Sequence, residues 1–169
     1  MLYVCLAIIL GSVFLDQISK WLVIIYLKGE EAFAVIPGVL EFDYLENRGM
    51  AFGLLQDQRW IFMVLSVLAI AVMAFYLIKY KPKNKLVVIA LSMMIGGGIG
   101  NMIDRTFLGY VVDFIDFCAF PDLWRWTFNI ADAFACVGAG LLILYLILEF
   151  VEEYKNGKKN RADSAEGKN

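Results

Sequence analysis

The chain has 169 residues, 61% of them hydrophobic and 19% charged, with a formal net charge of -2 and no histidine. A soluble domain carries roughly 45–50% apolar residues, so the surplus points to lipid and excludes both a disordered chain and an ordinary water-soluble enzyme. The charge balance offers no basic footprint for nucleic acid. The missing histidine removes Ser-His-Asp and Cys-His nucleophiles, H-E-x-x-H zinc sites and His-held haem. Cys5, Cys118 and Cys136 form no C-x-x-C pair and read as small hydrophobes.

Leu2 to Leu15 carries no charge, and the apolar pattern resumes from Trp21 to Leu27, with only Asp16 and Lys20 as charged interruptions. That length crosses about 30 Å of hydrocarbon, and without a basic n-region or small-x-small site it reads as a retained first span rather than a cleaved signal. Phe33 to Ile36 and Val39 to Tyr44 flank Pro37-Gly38, two short strands around a turn on the membrane surface. Uncharged stretches at Trp60–Ile78, Leu86–Ile103 and Ala133–Leu148 give three further spans, and Pro37, Pro82 and Pro121 all fall between spans.

Lys79, Lys81, Lys83 and Lys85 crowd the short second connection, and Lys155, Lys158, Lys159 and Arg161 follow the fourth span. The positive-inside rule puts both segments and both termini in the cytoplasm, which leaves the first and third connections on the outer face. Residues 1–154 form the four-span domain. Residues 155–169, rich in Lys, Asn and Gly, read as a disordered cytoplasmic tail. No internal repeat suggests a transporter built from duplicated halves.

Charges near lipid are candidates for function because each costs at least about 2.5–3.5 kcal/mol on insertion scales. Asp16 and Lys20, at i,i+4, share a helix face and can pair. Gly96, Gly97, Gly98 and Gly100 let another backbone approach the third span, and Asn101, Asp104 and Arg105 follow at its outer end. There Asp104 and Arg105 read as a scaffold, charge-paired with each other or with neighbouring loops. Gly109 to Phe117 is too apolar for a solvated loop and reads as an extended segment; its alternation puts Asp113 and Asp116 on opposite faces. Asn129 and Asp132 share a face at the start of the fourth span. Two carboxylates brought close share one proton and can act as general base and general acid, an aspartic-protease arrangement open to a His-free chain. The residues themselves give a list of acids and do not choose the pair.

Five blocks stand in order along the chain: Asp16-Gln17-Ile18-Ser19-Lys20, Asn47-Arg48-Gly49-Met50-Ala51-Phe52-Gly53, Gly97 to Arg105, Val111-Val112-Asp113-Phe114 and Phe128-Asn129-Ile130-Ala131-Asp132. With four spans they make the chain resemble the lipoprotein signal peptidases, or signal peptidase II, of bacteria. The resemblance implies an aspartyl endopeptidase in the cytoplasmic (inner) membrane that cuts prolipoproteins just before a diacylglyceryl-modified Cys. Asp113 and Asp132 match the family's catalytic dyad, Asn47, Asn101, Asp104, Arg105 and Asn129 its surrounding polar residues, and Asp16 and Lys20 its first-span pair. The implied fold is four transmembrane helices with a small β-cradle and a short surface helix on the outer face, where the active site lies. The implied partners are prolipoprotein substrates and membrane lipid, with no metal or organic cofactor, and the chain is expected to act as a monomer. Met50 stands where the family pattern has a small residue. The rival reading is a proton-coupled transport component using Asp16, Asp104 and Asp132; transport in vesicles without peptide cleavage would favour it. A Ser-Lys protease is opposed by the adjacency of Ser19 and Lys20, which do not face each other on a helix.

Overall fold

The computed structural model describes residues 1–49, 59–119 and 126–166, so Met50 and Pro121 lie outside the described residues. Four helices, α1 (Leu2–Tyr26), α2 (Arg59–Tyr80), α3 (Lys85–Phe107) and α4 (Ile130–Glu166), accompany four strands, β1 (Phe33–Ile36), β2 (Leu40–Asn47), β3 (Val111–Phe117) and β4 (Thr127–Phe128). Each helix is long and apolar enough to cross a membrane, and each contains one of the spans read from hydropathy. No short surface helix occurs among the described residues.

Helix ends follow local chemistry. Asn84 caps α3 by accepting the Leu86 N–H at 2.8 Å. At the other end Gly109, with φ 86°, donates to the Asp104 carbonyl and turns the chain toward β3. The segment composition reads as a disordered tail is instead helical as far as Glu166. A helix already nucleated by a span gains one hydrogen bond per added residue without a new nucleation cost, and Lys158 helps by lying 5.1 Å over the Tyr154 ring.

Helix α3 is the hub, and its glycines are the reason. A Cβ at Gly96 would meet Ser12 of α1, at Gly97 the Ala131 carbonyl of α4, at Gly98 Ile70 of α2, and at Gly100 the Asp16 carboxylate. Successive residues on a helix point about 100° apart, so a run of glycines receives three neighbours at backbone distance. Away from these contacts Leu10, Phe14, Val72, Ile78 and Ile143 are exposed, as lipid-facing positions would be. A core of Cys5, Leu77, Val87, Val88, Leu91 and Ile95 fills the half of the bundle near the α2–α3 turn.

At the other end the strands form one antiparallel sheet in the order β1-β2-β3-β4. Gly38, with φ 70°, makes the tight β1–β2 turn that Pro37-Gly38 signals. Val112 and Phe114 of β3 pack on Val23 of α1, and Phe42 meets Phe114 edge to face at 5.9 Å, so the sheet rests on the end of the first span. Glu46 of β2 reinforces this seat by accepting from Lys28, just beyond α1, at 3.2 Å and from Arg48 at 3.0 Å. Those two cations hold its carboxyl down at about 2.

The close approach at Gly97 is backbone against backbone and cannot be relieved by a rotamer change. Gly97→Ala is therefore expected to cost about 1–3 kcal/mol and lower the melting temperature in detergent. Gly11→Ala, with nothing within 4 Å of the added methyl, is expected to melt at or slightly above wild type.

Candidate active site

The site begins with a charge inside the bundle. Lys20 is 2% exposed, and its ammonium group donates to Asp16 Oδ2, Asp104 Oδ2 and Asn101 Oδ1, each at 2.9 Å. Three donors thus meet three acceptors from α1 and α3. Asp104 also accepts the Val112 N–H through Oδ2 at 3.1 Å, which ties β3 to the end of α3. Gln17, which sequence reasoning left out of the site, donates to Asp104 Oδ1 at 3.0 Å and Asp16 Oδ2 at 3.1 Å. A neutral polar residue between two charges in an apolar span was the available signal. Asp104 pairs with Lys20 of α1, where the sequence suggests pairing with Arg105 or with neighbouring loops; successive side chains on a helix point about 100° apart, and here Asp104 turns to α1 and Arg105 to α2. The Arg105 guanidinium lies 5.5 Å over the Phe62 ring of α2.

The start of α4 carries the second part. Asn129 Oδ1 accepts the Asp132 N–H at 2.9 Å, and Asp132 Oδ2 accepts the Asn129 N–H at 3.3 Å, a reciprocal capping box with an acid at N3. The intervening Ala131 N–H is satisfied from another helix, by Asp16 Oδ1 at 2.9 Å. Two free amides of the α4 terminus thus receive carboxylate or amide oxygen. Asn101, held by Lys20, donates to Asp132 Oδ1 at 2.7 Å.

Strand β3 supplies the third part. Asp113, 1% exposed, accepts from Asn129 Nδ2 at 2.6 Å and from Asn47 Nδ2 at 2.8 Å. Asn47 reaches it because of a β-bulge. Phe42 pairs with Ile115 and Leu45 with Asp113, so β2 spends one residue more than β3 over that interval. A regular ladder would carry Glu46 rather than Asn47 on the face of Asp113. The Gly49 N–H then donates to Asn47 Oδ1 at 3.0 Å and fixes which end of the amide faces the acid.

Asn129 thus touches both acids, Asp113 through its side chain and Asp132 through its backbone. Burial lifts the Asp113 carboxyl to about 6; the Asn47 hydrogen bond opposes the rise and the neighbouring charge of Asp132 adds to it. Asp116 is not brought to this site. It lies opposite Glu41 in the β2–β3 ladder, and burial with the repulsion of Glu41 and Asp43 raises its carboxyl. No buried side-chain oxygen or nitrogen among the described residues lacks a partner. Nor do they include a group of acids and cysteines able to hold a metal ion.

The pairing pattern separates two neighbours on α3. Asp104→Ala removes one of the two acids that neutralise Lys20, and is expected to cost about 3–5 kcal/mol, the cost of breaking a buried ion pair. Arg105→Ala breaks no salt bridge among the described residues, and is expected to melt within a few degrees of wild type. Thermal unfolding of the two purified variants in one detergent checks both.

The sequence and fold have known counterparts. Residues 8–148 match the family model described as signal peptidase (SPase) II. The lipoprotein signal peptidase of Symbiobacterium thermophilum is 40% identical over 148 residues, covering 88% of this chain and 95% of that protein. That of Caldanaerobacter subterraneus subsp. tengcongensis is 44% identical over 143 residues, covering 85% and 94%. A solved bacterial membrane enzyme superposes with a TM-score of 0.79 at 29% identity, covering 89% of this chain and 91% of the other. A second such structure gives 0.78 at 30% identity, covering 86% and 94%. Matched along most of its length in sequence and in fold, the chain belongs to the signal peptidase II family, the lipoprotein signal peptidases.

Proposed function

We propose that Asp113 and Asp132 are the catalytic pair of this endopeptidase, which removes the signal peptide from bacterial prolipoproteins by cutting just before the diacylglyceryl-modified Cys. The observation that carries the pairing is Asn129, whose side chain donates to Asp113 and whose backbone donates to Asp132. Asp132 sits at a helix N-terminus and receives amide donors on both oxygens, which orient it to serve as the general base. Asp113 is buried on β3 and retains a proton into the range of pH 6, which suits a general acid.

Water between the two loses a proton to Asp132 as its oxygen attacks the scissile carbonyl, and Asp113 donates its proton to the carbonyl oxygen. As the tetrahedral intermediate collapses, a hydroxyl proton returns to Asp113, the C–N bond breaks, and Asp132 gives the leaving amine the proton it took from water. The chain works in the cytoplasmic membrane as a monomer, with both termini inside and the dyad on the outer face. Asn47, Asn101 and Asn129 orient the acids; Asp16, Lys20, Asp104 and Arg105 support the region around them. The diacylglyceryl group of the substrate enters from the lipid in which the helices lie.

Asp113→Asn and Asp132→Asn are each expected to lower cleavage of a lipidated prolipoprotein by about a thousand-fold or more, with the double mutant scarcely worse because the two act as a unit. Asp116→Asn is expected to be mild. A folded Asp113→Asn or Asp132→Asn enzyme cleaving at the wild-type rate would remove that residue from the pair.

The pH profile gives an independent check. In kcat/KM, which reports the free enzyme, activity is expected to fall on the alkaline side of an apparent value near 6 as the pair loses its proton. The Asn47 hydrogen bond favours the carboxylate, so Asn47→Ala raises the proton affinity of Asp113, and the alkaline limb is expected to move to higher pH.

Topology is tested by single cysteines in a background lacking the three native ones. A membrane-impermeant thiol reagent on intact cells is expected to label a cysteine at Glu31 and to leave one at Lys83 unlabelled. The reverse pattern would put the dyad on the wrong side.

A further inference from the structure

The mechanism above uses Asn101 and Asn129 as donors, but an amide can present its oxygen or its nitrogen, and something must decide which. The Lys20 ammonium has three donors and no acceptor. The atom 2.9 Å from it on Asn101 is therefore Oδ1, and Nδ2 is forced toward Asp132 Oδ1 at 2.7 Å. The same Asn101 Oδ1 accepts from Asn129 Nδ2 at 3.0 Å, so Asn129 also turns its nitrogen inward, where it reaches Asp113 at 2.6 Å. Asn129 Oδ1 is left to accept the Asp132 N–H. One cation thus sets the direction of the two amides, Asn101 and Asn129, that lead from it to the two acids. A chain of polarised hydrogen bonds carries part of that positive charge to the last acceptor.

We propose that Lys20 is a positioning residue for the catalytic pair: acting through Asn101, it orients the amides toward both acids. This rests on the reading of Asp113 and Asp132 as the dyad. The charged groups around Asp132 among the described residues are Asp113 on β3, Asp104 and Arg105 on α3, and Asp16 and Lys20 on α1. Asp16 and Asp104 both hold the Lys20 ammonium, while Arg105 acts across space from its place over Phe62. Lys20 is joined to Asp132 by an unbroken run of two hydrogen bonds.

The test is the acid limb of kcat/KM on a lipidated prolipoprotein, whose apparent value belongs to the pair. Lys20→Met is expected to move that limb up by about one pH unit, the scale on which a nearby opposite charge acts. Lys20→Arg is expected to keep it near its wild-type position. Asn101→Leu cuts the relay while leaving the Lys20 bridges to Asp16 and Asp104 in place, which keeps the proposal testable where Lys20→Met does not fold. It is expected to give the same upward shift, with the Lys20→Met/Asn101→Leu double mutant shifting no further. A limb that stays put in folded Asn101→Leu, with activity reduced equally at every pH, would overturn the proposal and leave Lys20 a purely structural role. Asp132→Asn, measured beside them, separates the two readings. If Asp132→Asn cleaves normally, the dyad is wrong. If it is dead while Asn101→Leu leaves the limb unmoved, the dyad stands and the relay fails.

Discussion

An ammonium group taken out of water costs several kcal/mol unless its donors are answered by acceptors of opposite charge, and Lys20 sits almost completely buried in a bundle built to lie in lipid. Its three partners come from two helices. Asp16 is on its own span, and Asn101 and Asp104 are on α3. Meeting that requirement fixes the depth at which α1 and α3 sit relative to each other. Asp16 then has a second oxygen free for the Ala131 N–H of α4, and Asp104 a second contact for the Val112 N–H of β3. Two acids recruited to neutralise one base thus also pin the start of the fourth helix and of the third strand, the elements that carry Asp132 and Asp113.

The glycines of α3 make this arrangement sterically possible. A side chain at position 100 would occupy the space of the Asp16 carboxylate, and one at position 97 would push α4 away by its backbone. The hydrophobic effect cannot drive helices together in hydrocarbon, so close van der Waals approach and polar contacts carry the association. Here both come from the same ten-residue stretch, Gly96 to Arg105.

Much of this was legible beforehand, and for identifiable reasons. Spans show in hydropathy because lipid allows no unpaired backbone, and the Pro37-Gly38 turn and the extended run before Phe117 show in β-branched content and alternation. Alternation also separates Asp113 from Asp116, while the choice of Asp132 as its partner came from the resemblance, since no one-dimensional pattern says which acids meet. Gln17 and the capping of Ala131 by Asp16 escaped notice because each joins residues far apart in the chain, 87 and 115 positions respectively. At Asp104-Arg105 the sequence suggests pairing with each other or with neighbouring loops, whereas the partner of Asp104 is a lysine on another helix, far away in the chain. Composition misled at the end of α4, where it describes what a segment prefers in isolation and not what it does when it continues an existing helix.

The bulge in β2 makes part of the chain sensitive to parity. Because side chains alternate across a strand, adding or removing one residue between Phe42 and Asn47 would exchange the two faces and bring Glu46 to bear on Asp113 in place of an amide. Two such changes in that interval would cancel, as frameshifts of opposite sign do in a gene. The Pro37-Gly38 turn lies before the register-setting step and is under no such arithmetic. Length variation among natural or engineered versions of this cradle has room at its tip, while the few residues leading to the active site can change in kind but hardly in number.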